Sequence, residues 1–404
     1  MKERTDTNYS LHRIDSARPG QSLYLLNDEG VVYSEMQNCF VGLDAAGVSA
    51  YQAFDAGASI QDLRDYSDAG NLFSSSGTLE DGLESIYALA HGSFAIEHQR
   101  AEWPILDHHE SANIEIHGIP VLLEYPAGPF EHLCRDYFRS FPVTTQPARS
   151  HLCAQYENDG WAIYTNSRKL LSQLRNEQIG LGLLHAVRFL LYAEAEYDVA
   201  FHAAMVVDND RGIMLCAPSE SGKSTLAAYL MAHGFDLLTD EPALLHLDTC
   251  SISPLCLPVS LKEGSWDVLR DEWPELASAP IHVRSDDMQI HLLHPPQRHF
   301  SAPSRRLTHI VFPEYSPSSA ARAERLSPLH TLNLLNEGGM MLAKHIAQEK
   351  FEALLRLVCV TPAYTLRYGS LEDATEIVHA LASEKEVGPP LRKAEDLDVR
   401  PDRS

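Results

Sequence analysis

The period of the apolar positions changes several times along the chain, and each change marks an element. Ser22-Leu-Tyr-Leu-Leu26 and Val31-Val-Tyr33 are short apolar runs around Asn27-Asp-Glu-Gly30, a pattern that predicts a β-hairpin. Phe40-Val-Gly-Leu43 steps into Asp44, a good N-cap. Val48, Tyr51 and Phe54 then recur at helical spacing until Gly57. Ser59 can cap a short helix carrying Ile60 and Leu63. Thr78 can cap another, with Leu79, Leu83, Ile86 and Leu89 on one face. Residues 98–113 read as a linker. Its His108-His109-Glu110 run lacks metal-ligand spacing and reads as solvated loop. Ile114-Glu-Ile-His-Gly118 and Ile119–Tyr125 predict a strand pair around a glycine, and a helix is expected near Phe130–Phe138. Leu152–Tyr156 and Trp161–Tyr164 flank Glu157-Asn-Asp-Gly160, a strong hairpin signal. A long helix is predicted from about Arg168 to Ala195.

Beyond that point short apolar runs alternate with helical patterns, the signature of an α/β fold. Ala203–Val207, Gly212–Cys216, Phe235–Thr239 and Ala243–Leu247 read as strands, and Ser224–His233 as a helix stopped by Gly234. A further strand brings Pro254-Leu-Cys-Leu-Pro-Val-Ser-Leu to Lys262-Glu263, and Leu307–Phe312 follows Arg305-Arg306. Ser327-Pro328 opens a helix bearing Leu329, Leu332 and Leu335. Phe351–Val358 is helical, Ala363–Arg367 a strand, and Leu371–Leu381 a final amphipathic helix.

One junction carries chemistry. Between a buried strand and a helix stands Ala217-Pro218-Ser219-Glu220-Ser221-Gly222-Lys223-Ser224-Thr225. This is a Walker A-type phosphate loop with alanine where the first glycine usually stands. Backbone N–H groups and a helix N-terminus face an anion there. Lys223 would place a charge on the outer phosphates, and the Ser224 hydroxyl would face Mg²⁺. The loose pattern arises by chance about 0.03 times in a chain of this size. Asp240 and Glu241 end the next strand, where a metal ligand and a base would stand beside the phosphates. His202 opens the strand before the loop strand. Lys262 and Glu263 belong to no tight motif and could be a solvated loop end. Arg305 and Arg306 read as the polar start of their strand, with an arginine-finger role as the alternative.

The ordered set His202, Ala217–Ser224, Asp240-Glu241 resembles the HPr kinase/phosphorylase family and its PEP-carboxykinase-like relatives. The resemblance implies that Asp240 takes the proton from an acceptor serine hydroxyl. It implies that Ser224 holds Mg²⁺ with help from Asp240 and Glu241, and that His202 sits beside the phosphates. It would also bring the Lys262-Glu263 region near the nucleotide, with Lys262 on phosphate and Glu263 assisting the metal. Glu241 stands where the family has a second aspartate, and no copy of the family's downstream signature segment is evident. A hairpin followed by short helices over residues 20–92 resembles the PqqD-like peptide-recognition module, which binds a leader peptide by β-augmentation. A winged-helix-like domain without a peptide partner is the alternative.

The expected architecture is therefore α/β: a PEP-carboxykinase-like P-loop kinase core preceded by a small α+β winged-helix-like domain. Residues 1–20 form a flexible arm, 21–95 the PqqD-like domain, 96–113 a linker, 114–382 the kinase domain with its core at 195–382, and 383–404 a disordered tail. The chain has 404 residues, ample for such a division. Its formal charge of −24 argues against nucleic acid and anionic membranes as partners. Seven cysteines without a C-x-x-C pair read as reduced thiols, and the N-terminus has no signal-peptide pattern, so a cytoplasmic protein is expected. The leading functional reading is an ATP- and Mg²⁺-dependent serine kinase acting on a protein or ribosomally made peptide. The alternatives are a non-catalytic nucleotide-gated peptide-binding protein and a kinase for a small metabolite. HPr kinases are hexamers, so the resemblance is compatible with a homo-oligomer.

Overall fold

The computed structural model describes residues 11–56, 109–126, 137–138, 141–296 and 303–383, apart from breaks at 18–19, 37, 158–159, 167, 218–220, 256, 285 and 344–345. In chain order the elements begin with β1 (Leu11–Asp15), β2 (Gln21–Leu26), β3 (Glu29–Ser34), β4 (Cys39–Leu43) and α1 (Ala45–Asp55). Next come β5 (His109–Ile116), β6 (Ile119–Pro126), β7 (Ser150–Glu157), β8 (Gly160–Thr165), β9 (Arg168–Leu174) and α2 (Ile179–Glu194). The central stretch holds β10 (Val199–Phe201), β11 (Ala203–Asp208), β12 (Arg211–Cys216), α3 (Lys223–Ala232), β13 (Asp236–Asp240), β14 (Ala243–His246) and β15 (Ser251–Ile252). Then follow β16 (Val259–Lys262), the one-turn α4 (Glu263–Trp266), β17 (Ile281–Val283), β18 (Gln289–Leu293) and β19 (Arg305–Tyr315). The last are β20 (Arg322–Arg325), α5 (Pro328–Glu337), β21 (Met341–Leu342), α6 (Gln348–Val360), β22 (Ala363–Tyr368) and α7 (Leu371–Ser383).

The fold is mixed α/β with several sheets, and it divides into two compact units. The first draws its described residues from 1–96 and 325–363. The second takes 97–324 and 364–383. In the first unit β1 to β4 form an antiparallel meander. Strand alternation sends Leu23, Val32 and Leu43 to one face, where Val48 and Tyr51 of α1 cover them. The opposite face presents Tyr24, Tyr33 and Phe40 to Phe351 of α6. Tyr33 stacks on Phe351 with centroids 4.0 Å apart, and its hydroxyl donates to the Ile346 carbonyl at 2.7 Å. Asp44 caps α1 by accepting from the Gly47 amide at 2.8 Å, and Ser327 caps α5 by accepting from the His330 amide at 3.2 Å.

The second unit contains a five-stranded sheet in the order β5-β6-β7-β8-β9. Helix α2 packs on it through Leu183, Val187 and Leu190. Its main sheet runs β13-β11-β12-β19-β15-β14-β10, with β22 also paired to β19. Helix α3 lies on that sheet, with Leu226, Ala227 and Leu230 against Ala204, Val206, Ile213 and Leu215. A small sheet, β16-β18-β17, completes the unit.

Several expectations need correction. Residues 168–174 are a strand, and the helix starts only at Ile179. Leu170, Leu171 and Leu174 fit a helical stripe as well as they fit a strand. The β8–β9 pairing is itself irregular, which hides the period of two. Leu11–Asp15, placed in the N-terminal arm, pairs with β2. His109 and Glu110, placed in the linker, already belong to β5, which pairs with β6 along its whole length. Helices α5 and α6 fall within the expected kinase domain at 114–382, yet they cluster with the N-terminal sheet. The helices expected after Ser59 and Thr78, the tail at 384–404 and most of the Phe130–Phe138 segment lie outside the described residues.

Candidate functional site

Strand direction gathers the candidate residues. β11 runs antiparallel to both β12 and β13, pairing Ala203 with Cys216 and Ala204 with Asp240. The start of β11 therefore lies beside the ends of its two neighbours. His202, Ala217 and Asp240-Glu241, far apart in sequence, converge on one edge of the sheet.

Gly222 forms the N-cap of α3 in the left-handed region, with φ 90°, and gives the helix no side-chain cap. A Cβ there would lie 2.8 Å from the Tyr368 hydroxyl, so a larger residue would have to displace that side chain as well as hold a left-handed φ. Among the described residues the buried Ser221 hydroxyl has no hydrogen-bond partner. An uncapped helix start, an orphaned hydroxyl and a buried lysine fit the phosphates of a nucleotide. Lys223 is only 6 % exposed, and its ammonium donates to the His202 carbonyl at 3.0 Å. The Ser224 hydroxyl donates to Asp240 Oδ1 at 3.4 Å, and Thr225 meets Ser265 at 2.6 Å. Ser224 and Asp240 are hard oxygen donors side by side. They suit Mg²⁺, which takes only one or two protein carboxylates when phosphates are present. Among the described residues no three His, Cys, Asp or Glu side chains gather into a metal cage.

The acidic pair divides into two environments. Glu241 has a φ of 62°, uncommon outside glycine, and both its oxygens are engaged. His202 Nδ1 donates to Oε1 at 2.6 Å and Arg188 Nη2 to Oε2 at 3.0 Å. Burial works against its charge, but Arg188 and His202 outweigh burial and hold its pKa at about 2. Asp240, 3 % exposed, is pushed above the ordinary carboxylate range by burial, with Lys223 opposing the shift. Burial also lowers the pKa of Lys223, against the pull of Asp240 and Glu241.

These groups face a cavity of about 1210 Å³. His202, Ser221, Gly222, Lys223, Ser224, Thr225 and Glu241 line it, as do Lys262 and Glu263. Asp240 stands behind Ser224, and Ala217 is buried at the end of β12. Arg305 and Arg306 are not in the lining; they open β19, with Ser251 opposite Arg306. Pro218, Ser219 and Glu220 lie outside the described residues. Sequence reasoning missed Arg188 and Ser265. The signal for Arg188 was present: a lone arginine within the apolar helix Ile179–Glu194, one turn after His185. No protein-family model matches the chain, and no curated protein matches it.

Proposed function

We propose that this chain is an ATP- and Mg²⁺-dependent serine kinase of the HPr kinase-like, PEP-carboxykinase-like type, acting on a protein or peptide. The observation that carries the reading is the placement of Ser224 3.4 Å from a buried Asp240, one residue after a buried Lys223, at the start of α3. A carboxylate beside the phosphates is the group that transfer to a hydroxyl needs as its base. In this reading Asp240 accepts the proton of the acceptor hydroxyl. The hydroxyl oxygen bonds to the γ-phosphorus, the bond from that phosphorus to the bridging oxygen breaks, and ADP leaves. Lys223 and the N-terminus of α3 neutralise the phosphates. Mg²⁺ held by Ser224 and Asp240 would supply further neutralisation of phosphate charge. Arg188 and His202 fix Glu241, so that the second carboxylate stays ionised.

The N-terminal meander followed by α1 supports a winged-helix-like, PqqD-like module that recruits the substrate by strand addition. No helix among the described residues is long and apolar enough to cross a membrane.

The test is transfer of label from ATP to serine-containing peptides. Asp240→Asn is expected to lower transfer by roughly 10²–10⁴-fold, the contribution of a general base, while affinity for ATP without Mg²⁺ stays nearly intact. Because burial raises the Asp240 pKa, activity should fall with decreasing pH at a point above the ordinary value of 3.8. Lys223→Ala should weaken both binding and transfer. Full activity in Asp240→Asn would remove the base from the proposal. Nucleotide binding without transfer to any acceptor would favour a nucleotide-gated binder.

A further inference from the structure

The cavity is larger than a single small ligand needs. Small-molecule sites usually hold roughly 300–1,000 Å³, whereas this one has about 1210 Å³. The phosphate loop takes one end. Away from it the lining carries a run of aliphatic side chains, Leu171 and Leu174 from β9, Leu181 and Leu184 from α2, Met288, and Ile290 from β18, with Gln178 and Arg284 also in the lining. Leu171, Leu174, Leu181 and Met288 pack on the core below them but keep part of their surface uncovered. Three separate parts of the fold thus contribute unfilled apolar surface to one concavity.

Helix α2 connects the two ends. Leu181, Leu184, His185 and Arg188 recur at helical spacing, share one face and all line the cavity. Arg188 anchors one end of this stripe, 3.0 Å from Glu241 and so next to the acidic pair. Leu181 stands two turns earlier, about 10 Å along the axis. An extended peptide covers that distance in about three residues at 3.3 Å each.

We propose that the aliphatic wall is the acceptor subsite, and that the acceptor is a peptide segment with a large aliphatic side chain about three residues from its phosphorylated serine. This rests on the phosphotransfer reading and gives it a substrate class. A polar metabolite would gain little from the aliphatic side chains themselves, because hydroxyls set against them would be desolvated without partners. Nor does the stripe offer a spare cation to an acidic metabolite, since Glu241 already neutralises Arg188.

The experiment uses the full chain, Mg-ATP and glycine-rich nonapeptides with a central serine and one leucine moved through the other positions. Initial rates are read by mass spectrometry, and nucleotide binding is read separately with a fluorescent ATP analogue. Leucine three residues from the serine should raise kcat/KM roughly ten- to a hundredfold over glycine, the discrimination that burying one aliphatic side chain provides. Lysine or glutamate at that position should give no gain. Leu181→Asp, and independently Met288→Asp, should cut the gain to about twofold or less with unchanged affinity for the ATP analogue. Equal measurable rates across the series, or a leucine preference that survives in both variants, would overturn the subsite and leave the kinase standing, whereas no transfer to any peptide would overturn both. Failure of the wild-type chain to bind the ATP analogue would overturn both.

Discussion

Around Phe351 the first unit fills its interior with rings. Tyr24, Tyr33 and Phe40 close on that side chain, and the Tyr33 hydroxyl finds a carbonyl partner. Around Lys223 the second unit does the reverse. It gathers Lys223, Asp240, Glu241 and Arg188 where burial opposes charge on the first three. Aromatic burial stabilises a fold directly, whereas buried charge usually returns less than its desolvation costs. The first arrangement is what a scaffold needs. The second makes sense as a set of groups held ready for a charged ligand.

The sharpest way to break this contrast is to remove a ring. Phe351→Ala should cost the first unit about 3–5 kcal/mol, read as lost hydrogen-exchange protection in β2 and β3. Loss of only a few tenths would mean that the rings do not support the unit. Acid sharpens the other side. Glu241 titrates near 2 in the fold against an ordinary 4.5. Its contribution, on the order of 3 kcal/mol, is present above pH 4.5 and drains as pH falls towards 2. Denaturant unfolding between pH 7 and pH 3 should show that loss, and Glu241→Gln should flatten it. Gly222→Ala strains a left-handed residue by about 1–2 kcal/mol and pushes a methyl at Tyr368. It should weaken binding of an ATP analogue about tenfold while the melting temperature of the first unit stays put. Smallest is Asp44→Ala, which removes the α1 cap and should cost about 1 kcal/mol, visible as a modest shift in thermal melting.

What could be read from the residues was mostly local. The turn at Asn27–Gly30, the cap at Asp44, and the strand, loop and helix around Lys223 each announce themselves within ten or so positions. The convergence of His202 with Asp240 was expected only through a family resemblance; pairing of β11 with β12 and β13 supplies its geometric reason. Arg188 escaped because its partner Glu241 lies across the fold, and a charge in an apolar helix reads first as an interruption. Leu170, Leu171 and Leu174 misled because an irregular strand can carry a helical stripe. Phe351 looked like part of a kinase domain because nothing near it names Tyr33, more than three hundred positions earlier, as its stacking partner.

That distance has a cost during synthesis. The tyrosines of β2 and β3 leave the ribosome long before the phenylalanine they pack on, and at usual elongation rates the wait is on the order of half a minute. Until then Tyr24 and Tyr33 lack the phenylalanine ring that, among the described residues, they pack on. Truncation before α6 would remove that ring for good, so an amino-terminal fragment ending near residue 96 should be markedly less stable than the same segment in the full chain.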